Sequence, residues 1–149
     1  MKLFSNTYKI KLKKNNDERG FFVEIFRTDQ LNFKSKILQV SHSFIKKNII
    51  KGWHFHKKQT QWNYLLKGKI KVFLIDNRKD SKTFKKVKSF SIDASNEKCV
   101  YFFPPNIGHA YLTLSKENHM IYGTSGNFDF NEEYKLPFDK VIIKNFSNR

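Results

Sequence analysis

Lys51-Gly52-Trp53-His54-Phe55-His56-Lys57-Lys58-Gln59-Thr60-Gln61, running on to Gly68, is the stretch that decides the fold. Side chains alternate with period two in a strand, so His54 and His56 share one face and Trp53 and Phe55 the other. Gln61 follows after four intervening residues and Gly68 after six more, which places a polar cluster on one strand and leads into a second. A second piece lies far downstream, Pro104-Pro105-Asn106-Ile107-Gly108-His109. A small barrel would bring the two pieces together.

Outward from this stretch the chain reads as short strands. They cover residues 1–14, Phe21 to Arg27, Ile37 to Ile45, Ile49 to His56, Trp62 to Leu66, Lys69 to Asp76, Phe84 to Ile92, Lys98 to Phe103, Ala110 to Leu114 and His119 to Thr124. Asn15 to Gly20 reads as a turn, and so do Lys46-Lys47-Asn48 and Leu136 to Asp139. Residues 28–36 read as a loop or short helical turn, and Asn77 to Thr83 as a polar loop. Lys67-Gly68 reads as a tight hairpin between its flanking strands. Ile70, Val72 and Leu74 share one face of theirs. With no sustained 3.6-residue periodicity, this pattern predicts an all-β antiparallel barrel or sandwich.

A length of 149 residues suits one domain, 1–149, with one sizeable core, and 39% hydrophobic content marks a folded chain. No apolar run has transmembrane length, and the N-terminus shows no apolar signal region. One cysteine, Cys99, forms no internal disulfide; with no export signal, the expected compartment is the cytoplasm. The net charge of +16 would suit a polyanionic partner, but the lysines are scattered and read mostly as solvated surface. No membrane partner is expected. Nothing resembles a base-stacking motif, so no nucleic acid is expected either.

His54 and His56, followed by an amide, and Pro105 to His109 resemble the two motifs of the cupin superfamily, which implies a jelly-roll β-barrel. More narrowly, six pieces in order resemble the dTDP-4-dehydrorhamnose 3,5-epimerase family, which acts on nucleotide-linked 4-keto sugars. They are Asp17 to Glu24, Gln39 to Ser43, Lys51 to His54, Asp76 to Phe84, Pro105 to His109, and Tyr122. The chain departs from the family pattern at His56 (usually Gln), Gln61 (an active-site Lys) and Lys51 (Arg). The His-x-His-Lys-Lys run with Gln61 is closer to the dTDP-sugar 3,4-ketoisomerases.

A ketone acidifies the neighbouring C–H, so a base and a stabiliser of the enolate suffice, and no cofactor is needed. The resemblance puts the base at His54 and the acid at Tyr122. Arg19, Phe22, Glu24, Gln39 and Lys51 fall where the family holds the nucleotide; His56, Gln61 and His109 would line the pocket. Arg19 alone would read as an exposed turn residue, and Tyr122 alone as a buried aromatic. A histidine base wants an orienting carboxylate. The family draws it from a C-terminal segment that this chain is expected to lack, which leaves Asp76 and Asp139 as candidates. Two other reactions stay open. One is 3,4-ketoisomerisation, for which two histidines on one face serve equally well. The other is a metal-dependent cupin reaction at His54, His56, Gln61 and His109. The resemblance also implies a homodimer, paired through strands, and a place in polysaccharide precursor synthesis such as that of lipopolysaccharide.

Overall fold

A computed structural model describes residues 1–27 and 35–137. Strands follow one another as β1 (Lys2–Phe4), β2 (Thr7–Lys11), β3 (Lys14–Asp17), β4 (Gly20–Val23), β5 (Gln39–Lys46), β6 (Ile50–Phe55) and β7 (Gln61–Lys67). They continue as β8 (Lys69–Asp76), β9 (Val87–Asp93), β10 (Cys99–Phe103), β11 (Ile107–Thr113), β12 (Glu117–Thr124) and β13 (Tyr134–Lys135), with a 3-10 turn at Phe130–Glu132. All pairings are antiparallel. β5 pairs with β12, β6 with β11, β7 with β10 and β8 with β9. These nested pairs alternate between a six-stranded sheet, β1-β2-β10-β7-β12-β5, and a five-stranded sheet, β13-β6-β11-β8-β9. That winding is a jelly roll, as the resemblance implied. Among the described residues no helix is long and apolar enough to cross a membrane.

The alternation along each strand fills the space between the sheets. Ile70, Val72 and Leu74 are fully buried there with Leu65, Ile92, Tyr101, Phe103, Ile107 and Met120. Burying one such side chain contributes about 1.5–3 kcal/mol. The opposite face of the five-stranded sheet carries Trp53, Phe73, Ile75 and Ala110, with Leu136 packed over them. Trp53 and His54 thus point to opposite faces, as the period of two requires.

Two turns differ from the sequence expectation. Gly68 is not the tip of a hairpin: β7 lies in one sheet and β8 in the other, so the glycine is the corner between them. Its φ is +102°, and an added Cβ would sit 2.5 Å from the Glu117 carbonyl oxygen. Asn15 to Gly20 is not all turn either. β3 and β4 form a separate two-stranded hairpin there, with Glu18 and Arg19 at its tip. Residues 28–34, and Phe138 and Asp139 of the turn expected at 136–139, lie outside the described residues.

Candidate active site

A cavity of about 450 Å³ opens between the sheets. β6 contributes Ile50, Lys51, Gly52 and His54; β11 contributes His109, Ala110 and Tyr111. From the other sheet come Ser43 on β5, Gln61 and Asn63 on β7, Tyr101 on β10 and Tyr122 on β12. His54 and Tyr122 therefore look into one cavity from opposite walls.

Close approach of β6 and β11 sets the position of His54, which is registered directly against His109. Gly52, at φ +130°, permits it. An added Cβ would collide with Ala110 and sit 2.7 Å from the His109 carbonyl oxygen. The His109 ring stacks on Phe103 at 4.7 Å and on His56 at 5.7 Å, and meets His54 edge-on at 6.2 Å. Burial, reinforced by His56 and His54, lowers the His109 pKa to about 3, so the ring is neutral at any working pH. It therefore brings no positive charge to an enolate. His56 donates from Nδ1 to the Glu132 carbonyl at 2.8 Å and reaches the site through its stacking on His109.

The carboxylate facing His54 is Glu133, which sequence reasoning missed. Its Oε1 lies 3.6 Å from His54 Nε2, an ion-pair separation rather than a hydrogen bond. The tail beyond β12 delivers it. Asp129 accepts from the Asn131 N–H at 2.9 Å, and the buried Glu132 carboxylate accepts from the Lys58 N–H at 2.9 Å. β13 then pairs with β6, with Tyr134 stacked on Phe55 at 5.2 Å and Lys135 registered with His54. Burial lowers the His54 pKa; Glu133 pushes it back up, while Lys135, His56 and Lys51 push it down. The result is a neutral imidazole near pH 7, as a base requires.

Asp76, expected as a possible partner, is committed elsewhere. Its carboxylate accepts from Arg78 Nε and Nη2, both at 2.8 Å, and from the hydroxyls of Ser81 at 2.6 Å and Thr83 at 2.5 Å. Burial alone would raise its pKa, but these bonds together hold it far below the usual carboxylate range. It pins the 77–83 loop. Asp139 lies outside the described residues.

Tyr122 meets two hydroxyls, Ser43 Oγ at 2.9 Å and Tyr111 OH at 2.8 Å. Burial raises its pKa, and both bonds pull it back down. Gln61 donates to Asn63 Oδ1 at 2.7 Å, so its amide is part of the cavity wall. Lys51 is the one lysine or arginine among the described residues that line the cavity.

Five expected residues do not line it; His56 is one, set behind His109. Arg19 and Phe22 stand on the exposed β3–β4 hairpin, around a separate hollow of about 290 Å³. Arg19 holds Asp17 at 2.6 Å. Glu24 faces Arg27 at 3.3 Å on the surface. Gln39 accepts from the Phe128 N–H at 2.8 Å and donates to Ser41 at 2.9 Å. Among the described residues, no three His, Cys, Asp or Glu side chains are grouped to hold a metal ion.

The family model described as dTDP-4-dehydrorhamnose 3,5-epimerase matches residues 3–144. The spore coat polysaccharide biosynthesis protein SpsL of Bacillus subtilis is 33% identical over 136 residues, 89% of each chain. The dTDP-4-dehydrorhamnose 3,5-epimerase of Salmonella typhimurium is 27% identical over 134 residues, covering 85% of this chain and 73% of that one. Among solved structures, the enzyme of that name from Bacillus anthracis, with TDP and PPi bound, superposes with a TM-score of 0.85. It is 23% identical, over 93% of this chain and 83% of that one, a likeness of fold. On the match across nearly its whole length, the chain belongs to the dTDP-4-dehydrorhamnose 3,5-epimerase family, enzymes of the racemase and epimerase class of isomerases.

Proposed function

We propose that this enzyme epimerises a dTDP-linked 4-keto-6-deoxy sugar by proton transfer through an enolate, in the making of polysaccharide precursors. The observation that carries this reading is the placing of His54 and Tyr122 on opposite walls of one cavity. Inversion needs a base on one face of the sugar ring and an acid on the other. Neutral His54 takes the proton next to the ketone, with Glu133 stabilising the imidazolium that results. Tyr122 returns a proton from the opposite face. The charge that a lysine at position 61 would have brought to the enolate comes, on this reading, from Lys51, the cationic side chain among the described residues that line the cavity. His56 and His109 stiffen the wall behind His54.

A 3,4-ketoisomerase would use the second histidine to move protons along an enediol. Here His56 has Nδ1 engaged by the Glu132 carbonyl and a face covered by His109, which favours epimerisation. The same stacking turns the imidazoles toward one another's rings, an arrangement that suits a packed wall better than a metal site.

The enzyme works as a homodimer in the cytoplasm on this reading. Its Arg19 and Phe22, remote from their own cavity, are free to serve a neighbour's. Incubation with dTDP-4-keto-6-deoxyglucose in D2O, followed by NMR, tests the reaction. Deuterium should enter at C3 and C5 with wild type, and at neither carbon with His54→Ala. Tyr122→Phe should exchange without completing inversion. A 3-keto product with exchange confined to C3 and C4 would overturn the epimerase reading.

A further inference from the structure

The Tyr122 hydroxyl sits between two other hydroxyls that approach it from different elements. Ser43 reaches it from β5, the neighbouring strand of the same sheet, where Tyr122 is registered with Ser41 and Ser43 lies two residues further along the same face. Tyr111 reaches it from β11, across the space between the sheets, at 2.8 Å. Tyr111 follows His109 by two residues on one strand and so shares its inward face. It lines the same cavity as His54 and Tyr122. The three hydroxyls form one cluster, in which Ser43 also bears on Tyr111.

A phenol has one proton and two lone pairs. If Tyr122 spent its proton on Ser43 or Tyr111, it would have none to give to a sugar carbon. If both neighbours donate to it, its lone pairs are filled and its own proton is left to point into the cavity. We propose that Tyr111, with Ser43, is a positioning residue that donates to the Tyr122 oxygen, aims its proton at the substrate and holds the phenolate left behind. This rests on the reading of Tyr122 as the acid. In the step itself the Tyr122 O–H bond breaks and the enolate's electron pair forms the new C–H bond. The negative charge stays on the Tyr122 oxygen until a solvent proton restores it. Two hydroxyl donors are what a buried phenolate needs, because hydrogen bonds to a charged group are the strong ones. Groups lining the same cavity that titrate or carry charge are Tyr111 and His109 on β11, Tyr101 on β10, and Lys51 and His54 on β6. Asn63 and Ser43 bring no charge.

Tyr111→Phe keeps the ring and removes only the donor. Tyrosine labelled with 13C at Cζ, with the Tyr122 signal assigned through Tyr122→Phe, reads the ionisation of Tyr122 without any substrate. In Tyr111→Phe the Tyr122 midpoint should rise by about one unit, and kcat should fall about tenfold with KM little changed. The alkaline limb of the pH–rate profile should move up with the midpoint. Ser43→Ala should act in the same direction. A Tyr122 midpoint and alkaline limb unchanged in both variants would overturn the proposal. A shifted midpoint in a protein that epimerises no nucleotide sugar would uphold the hydroxyl arrangement and count against the proposed reaction alone.

Discussion

Replacing Glu133 with Gln isolates what a carboxylate does for His54. The change keeps the size of the side chain and removes its charge. Burial lowers the His54 pKa, and Glu133 is the one charge that raises it. Without that charge the pKa falls further. The imidazole then stays neutral to lower pH, so the acid limb of kcat/KM should move down. The plateau should drop roughly 10- to 100-fold, since the imidazolium formed in the transition state loses its counter-charge. An acid limb that stays put would show that Glu133 is not coupled to the base. His54 and His109 were legible as cavity residues because motif spacing and strand period carry them, and Tyr122 through the family resemblance alone. Glu133 was not. It arrives on a tail whose strand is two residues long, too short to leave a periodic signal. Tyr111 was within reach: the period of two that pairs His54 with His56 also pairs His109 with Tyr111.

At the scale of elements, the site depends on how closely β6 and β11 approach. Gly52→Ala would place a methyl group against Ala110 and the His109 carbonyl, at a backbone φ of +130° that other residues resist. The backbone of β11, unlike the end of a flexible side chain, cannot swing out of the way. The substitution should cost about 3 kcal/mol or more in a denaturant titration. It should also reduce activity in whatever fraction still folds, because β6 carries His54. A stability within about 0.5 kcal/mol of wild type would show that the two strands separate easily. Gly68 explains why the strands were legible and one connection was not. A glycine between two alternating apolar runs is the signature of a hairpin, and a corner between two sheets looks the same locally. The choice is made by β9 to β12, which compete for the edges of β7 and β8 and are far away in the chain.

At the scale of the whole molecule, the β3–β4 hairpin holds an arginine and an aromatic around its own hollow of about 290 Å³, apart from the cavity of His54. The Arg19 side chain is 84% exposed and Phe22 is 64% exposed. Exposed aromatic surface of this kind invites a partner. In a two-fold dimer the same patch is offered by both copies, so a hairpin that reaches the neighbour's cavity is matched by one returned. Complementation separates this arrangement from one in which each hairpin serves its own barrel. His54→Ala leaves the hairpin intact and removes the base; Arg19→Ala does the reverse. Each variant alone should be impaired, Arg19→Ala mainly through a higher KM. Co-expressed in equal amounts, half the dimers are mixed, and each mixed dimer pairs one intact cavity with one intact hairpin. Activity at low substrate should then recover to about a quarter of wild type if the hairpin acts on its neighbour. No recovery in dimers confirmed to be mixed would show that Arg19 works, if at all, on its own subunit.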